Sequence, residues 1–189
     1  INSIKAQFVL NFIEGDRWKL LVNGLGVTLK ITLIAMVLGI VIGVILATIR
    51  STYDLTKDDG RGGIGRVLLK IFNVIAKIYL TIIRGTPVVI QLLIIYFVIF
   101  ASSDNGVLIA ALAFGMNSGA YVAEIIRAGI MSIDRGQMEA GRSLGFNYIE
   151  TMRYIIIPQA FKNVLPSLAN EFIALLKETS VAGYAAIQD

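Results

Sequence analysis

Arg84, Thr86, Gln91, Asn117, Ser118, Tyr121, Glu124, Asn170, Glu171, Glu178, Thr179 and Ser180 are polar or charged residues set within or beside long apolar runs. In a bilayer such groups are costly against lipid, so they either line a solute path or pair with one another between helices. Asn117, Tyr121 and Glu124 stand at i, i+4 and i+7, on one helical face, and the small residues Gly115, Ser118 and Gly119 are expected to leave room beside them. For Glu124 two readings stay open: a ligand for a cationic solute, or a structural partner of Arg84 or Arg127. Covalent and metal chemistry have little to work with. The chain has no cysteine and no histidine, which removes thiolate nucleophiles, disulfides, the common zinc ligands and any side chain that ordinarily titrates near neutrality.

The elements that hold these residues must be membrane helices. Of 189 residues 56% are hydrophobic, against about 45 to 50% in a soluble domain. The net charge of +4 could suggest nucleic acid, but the cations cluster in loops beside apolar runs, as orientation signals do; no nucleic-acid partner is expected. The chain begins at Ile1, as a trimmed sequence would, and its first strongly apolar stretch is longer than a signal-peptide core, so no cleavable signal is read.

Residues 31–49 carry no charge and form one span, with a start expected nearer Trp18 to Leu25 and Lys30 snorkelling or near an end. Gly39 and Gly43, four apart, either admit a close neighbour or are merely tolerated in lipid. Residues 50–77 carry six cations, Arg50, Lys57, Arg61, Arg66, Lys70 and Lys77, whereas 101–106 carry none and include Asp104. The first loop therefore faces the cytoplasm and the second the outside. Parity then allows 71–100 to cross once: an amphipathic approach helix over 65–83, a break at Arg84-Gly85-Thr86-Pro87, and a span over 87–100. Proline removes a backbone donor and disfavours helix before it, and the carbonyls freed need protein or water. Residues 107–131 return to the cytoplasm, where Arg127, Arg135, Arg142 and Arg153 follow. Residues 154–176, interrupted by Pro158, Lys162, Pro166 and Glu171, read as an imperfect span buried among other helices, and Lys177 to Gly183 as a loop. The expected fold is all-α and polytopic, with about four spans in a single domain over 1–189.

Between the last two spans lies a polar stretch, 139–158. Glu139 to Leu144 are helix formers, Gly145 suits the left-handed turn that ends a helix, and Asn147 suits the cap of the next. A helix, a glycine turn and a second helix follow, unless the stretch is an ordinary amphipathic loop. Gly60 to Gly65 matches Gly-x-Gly-x-x-Gly but lacks the preceding strand and βαβ unit, and reads as a flexible loop; no Gly-x-x-x-x-Gly-Lys-Ser/Thr phosphate loop occurs.

Four motifs in order carry a family resemblance: Arg-Gly-Thr-Pro at 84–87 followed by Gln91 and Tyr96, Ala-Tyr-x-Ala-Glu-x-x-Arg-x-Gly at 120–129, Glu-Ala-Gly with Gly145 and Ile155-x-Ile157-Pro158, and Asn-Glu-Phe-Ile-x-Leu-x-Lys-Glu-Thr-Ser at 170–180. The chain resembles permease subunits of bacterial ATP-binding-cassette importers of the polar amino acid uptake family, with Gly141 and Ile157 standing where Ala and Leu are commoner. The resemblance implies a multi-pass protein of the bacterial inner membrane. It also implies a second permease subunit, cytoplasmic ATPase subunits that bind ATP and Mg, an extracytoplasmic solute-binding protein, and no cofactor or catalytic site in this chain. Glu139, Ala140, Gly141, Arg142, Ser143 and Gly145, within a segment 135–158, would couple to the ATPase. The polar residues above would meet the carboxylate, ammonium and side chain of an amino acid, with a slight tilt toward arginine, histidine or lysine over glutamine or glutamate. The family's last span, after the Lys-Glu-Thr-Ser segment, is not found, and truncation of the sequence is the preferred explanation. The competing readings are an ATPase-independent secondary transporter or channel, whose broken helices look alike, and a membrane scaffold or enzyme.

Overall fold

The computed structural model describes residues 2–57, 63–103, 105–180 and 182, and every regular element among them is helical. Helix α1 (Asn2–Phe8) leads through a π-helical turn into α2 (Trp18–Thr56), a helix of 39 residues. The early start at Trp18 agrees with the sequence expectation. The helix then continues past Arg50, which the sequence reading assigns to the loop.

The centre of the molecule is the pairing of α2 with α5 (Gly106–Met131). Glycines set its closeness on both sides. A Cβ on Gly43 would sit 2.4 Å from Val122 Cγ1, and one on Gly39 3.0 Å from Ser118 Oγ; Gly115 and Gly119 lie as tightly against Leu38 and Ile42. Close approach is thus the use of the Gly39/Gly43 pair. The same contacts correct another expectation: Gly115, Ser118 and Gly119 do not leave open room beside the polar face, because α2 fills it. Fully buried Phe114, Ala110, Ala120 and Val122 continue the seam along α5.

Helix α3 (Ile64–Gly85) buries Asn73, Ala76 and Leu80, one stripe at helical spacing, as an amphipathic helix should. After the break at Thr86 and Pro87, α4 (Val88–Ile94) and a π-helical turn (Ile95–Ile99) leave at 105° to α3. The expected approach helix, junction and second segment are all present. Of the Gly60 to Gly65 run, residues 60–62 lie outside the described residues, as do Asp104, Val181 and Gly183.

Among the described residues two helices, α2 and α5, are long and apolar enough to cross a membrane, or three elements if the bent pair is one span. The fourth expected span is helical, as a π-helical turn (Met152–Ile156) and α8 (Ile157–Glu178), but Gln159, Lys162, Asn163, Asn170 and Glu171 keep it from qualifying. Nor is α8 buried among other helices: it rests Ala160, Val164 and Leu175 against its neighbours while Phe161, Leu165 and Ile173 are exposed. One chain supplies α8 with a wall on one side, chiefly α5, where Gly129 admits Val164. The expected loop at Lys177 and Glu178 is helix instead, closed by a short 3-10 turn in which Thr179 Oγ1 donates to Leu176 O and Ser180 Oγ to Lys177 O. Lys and Glu are good helix formers, and the hydroxyls satisfy carbonyls at the end.

Candidate functional site

The broken junction positions the site. Ending α3 at Gly85 frees carbonyls that α4 cannot reach. Gln91 answers them: its amide nitrogen donates to Ile83 O at 2.6 Å and Thr86 O at 2.9 Å, while its Oε1 accepts from Asn117 Nδ2 at 3.1 Å. Thr86 Oγ1 donates to Ile82 O. Gln91 and Asn117 are both buried, so they anchor the bend to α5. Leaving such groups unpaired would cost about 1–3 kcal/mol each.

On the open side of this anchor lies a cavity of about 330 Å³ lined by Arg84, Gly85, Thr86, Pro87, Val88, Asn117, Tyr121 and Glu178. Five sequence-chosen residues, Arg84, Thr86, Asn117, Tyr121 and Glu178, thus meet around one space although they come from α3, its junction, α5 and the end of α8. The Arg84 guanidinium carbon stands 5.4 Å from the centre of the Tyr121 ring, a cation–π contact that holds the charge over the cavity. Cationic Arg84 and anionic Glu178 on one wall set suit a solute carrying both charges.

The other candidates fall elsewhere. Ser118 donates to Glu171 Oε1 at 2.8 Å, clasping α5 to α8, while Gln91 sits behind the wall. Asn170 is exposed on the open side of α8 and Thr179 is buried, with Ser180 exposed beyond it. Glu124 lies among arginines: Arg50 donates to it, Arg127 Nε lies at 3.4 Å and Arg84 Nη1 at 4.0 Å. Arg127 also bonds Asp54 at 2.9 Å. The structural-pair reading of Glu124 fits this geometry, with Arg84 and Arg127 as expected. Arg50 and Asp54 were missed because each is more than 70 residues from its partner, with separations of 74 and 73.

The second candidate region is the elbow at the far end of α5. Asp134 caps α6 (Arg135–Ser143), accepting from Gly136 N, so this helix begins four residues before Glu139. It ends at Gly145, φ 84°, where Phe146 N donates to Gly141 O and Gly145 N to Arg142 O, both at 3.0 Å. This double bond pattern is the left-handed helix stop. Asn147 then caps α7 (Tyr148–Thr151), accepting from Glu150 N while the Glu150 carboxylate accepts from Asn147 N. Gly141 is buried against Thr151, whose Cγ2 would lie 2.5 Å from an added Cβ, so glycine in place of the commoner alanine admits Thr151 here. Glu139, Ala140, Arg142, Ser143 and Gly145 are exposed, and the outer edge shows Leu144 and Ile149, each 73% accessible.

Comparison with known proteins fits this layout. Residues 62–188 match the family described as binding-protein-dependent transport system inner membrane component. The arginine transport system permease protein of Bacillus subtilis (strain 168) is 43% identical over 118 residues, 61% of this chain and 54% of the relative. The glutamine transport system permease protein of Escherichia coli (strain K12) is 42% identical over 115 residues, 59% of this chain and 52% of the relative. The chain spans about half the length of the curated relatives it matches. A crystal structure of an amino acid ABC transporter with histidines superposes with a TM-score of 0.73 and 40% identity, covering 88% of this chain and 72% of that one. Because the family match takes in α3, the broken junction, the cavity and the elbow, this chain belongs to the family of binding-protein-dependent transport system inner membrane components.

Proposed function

We propose that the chain is the transmembrane subunit of an ATP-driven importer of polar amino acids, forming part of the path and coupling it to a separate ATPase through residues 135–158. The observation that carries this reading is the cavity in which Arg84 faces the same space as Glu178, with Asn117, Thr86 and Tyr121 between them. An α-carboxylate pairs with the guanidinium, and an ammonium, from the backbone or a basic side chain, with the carboxylate. The elbow supports the ATPase partner: a helix-turn-helix held by its own caps is stiff, and its exposed Leu144 and Ile149 give a soluble subunit something apolar to grip. With no phosphate loop in this chain, hydrolysis belongs to that subunit. A second permease subunit would cover the open side of α8, and an extracytoplasmic binding protein would deliver the solute. The preference for a basic amino acid rests on Glu178 and on Glu171 nearby in α8, since Glu124 is engaged by arginines. The relatives named for arginine and for glutamine support the class and do not choose within it.

Co-expression with a neighbouring ATP-binding subunit, followed by thermal-shift measurements on the complex with arginine, lysine, histidine, glutamine and glutamate, tests both parts. Expected is a complex stabilised by one or more of these, most by a basic one. A chain that purifies without an ATPase, or a complex that none of them shifts, contradicts the reading.

A further inference from the structure

Next to the cavity already described lies a second one of about 470 Å³, in which Arg50, Lys77, Thr81, Arg84 and Glu124 meet. The two share Arg84 and Gly85. Along α5 the first touches Asn117 and Tyr121 and the second Glu124, about one helical turn further toward Arg127. In the charge-derived orientation that is the cytoplasmic direction. On α3, Lys77, Thr81 and Arg84 are spaced i, i+4, i+7 and present one face to this space.

The charges do not balance. Three cations, Arg50, Lys77 and Arg84, border the cavity against the single carboxylate of Glu124. That carboxylate is already bonded by Arg50 and approached by Arg127 at 3.4 Å and more distantly by Arg84 at 4.0 Å, and Lys77 takes part in no ion pair among the described residues. Uncompensated cations beside a low-dielectric wall attract an anion.

We propose that this second cavity is a carboxylate-binding subsite on the release side of the path, where Lys77 and Arg84 take the carboxylate of the transported solute while Arg50 holds Glu124 and so leaves Arg84 available. The assignment rests on the importer reading above. Arg84, common to both cavities, passes the carboxylate from one to the other, and the Thr81 hydroxyl adds a neutral donor.

These 189 residues contain no cysteine, so Thr81→Cys in the assembled complex places a thiol where this sequence has none. Its labelling by an anionic and by a cationic methanethiosulfonate of similar size is followed on this subunit's own band. Expected is an anionic reagent at least about threefold faster than the cationic one, as a positive cavity requires, slowed further by sodium acetate. Adding Lys77→Gln should bring the ratio close to one and abolish the acetate effect. Equal rates in the Thr81→Cys complex, a faster cationic reagent, or no labelling by either overturns the subsite. The measurement is run in nanodiscs of phosphatidylcholine with and without phosphatidylglycerol: protection that depends on the anionic lipid means that a lipid phosphate occupies the cavity and overturns the carboxylate assignment. Uptake of amino acid with a ratio of one sinks the subsite and leaves the importer reading standing. A retained ratio in a complex that moves no amino acid sinks the importer reading, and with it the solute's role, while the charge asymmetry remains.

Discussion

The elbow between α6 and α7 and the charged cluster between α2, α3 and α5 are built in opposite ways. The turn and the cap of the elbow are made by bonds between residues within a few positions of one another, Phe146 to Gly141, Gly145 to Arg142 and Asn147 to Glu150, while Tyr148 also reaches back to Thr52 Oγ1 of α2 at 3.4 Å. The cluster is made by partners far apart, Arg50 with Glu124 and Arg127 with Asp54, 74 and 73 residues distant. The elbow is exposed, so its shape depends on backbone geometry and caps. The cluster is mostly shielded, with Arg50 and Glu124 side chains 13% and 23% accessible, so it depends on each charge keeping its partner. A docking lever can be local and stiff, whereas a path between helices has to be assembled from several of them.

Substitutions can pull the two apart. The largest effect is expected in the cluster. Glu124→Leu leaves the Arg50 guanidinium without its carboxylate, a loss of about 3–5 kcal/mol for a shielded pair, read as a lower thermal midpoint of the purified complex. Arg50→Leu combined with Glu124→Leu should recover much of it. Equal losses in the single and double variants would mean that the two charges are not coupled. Gln91→Leu comes next, because the carbonyls of Ile83 and Thr86 lose their donor; about 1–3 kcal/mol is expected, again in the thermal midpoint.

Gly145→Val sharpens the contrast. Nothing lies within 4 Å of a Cβ at this position, so the penalty is purely the left-handed backbone, φ 84°, about 1–2 kcal/mol for a residue other than glycine. Membrane insertion should be unchanged while association with the ATPase falls, and Gly145→Asn, which tolerates this conformation, should keep most of it. Normal association of Gly145→Val in detergent would show that the turn does not set the docking geometry. The smallest effect is Asn147→Ala, which removes one cap bond and should weaken the elbow by about 1 kcal/mol, visible as faster amide exchange in α7 and little else.

The same division explains what could be read from the sequence. Gly145, Asn147 and Pro87 act on the backbone next to them, so the turn, the cap and the break were legible from single residues. The apolar runs of α2 and α5 were legible because a bilayer imposes a length. Arg50 was not legible as a site residue, since a cation after an apolar run looks like a loop anchor until α5 is placed beside it. Lys77 and Thr81 were hidden in an amphipathic face for the same reason. Gln91 looked like a path residue, and only the geometry of the bend shows it bonding the carbonyls that the bend frees. For α8, the cost of charge in lipid argued for burial on all sides, but the described residues of this chain provide one wall, and Phe161, Leu165 and Ile173 stay exposed.

Uptake into proteoliposomes containing the complex and its binding protein tests the importer reading most directly. Labelled amino acid should accumulate when ATP is enclosed on the ATPase side. It should not accumulate with a non-hydrolysable analogue, nor with an imposed proton or sodium gradient in place of ATP. Accumulation driven by an ion gradient without ATP would contradict a passive conduit worked by a separate ATPase and would make the chain a secondary transporter.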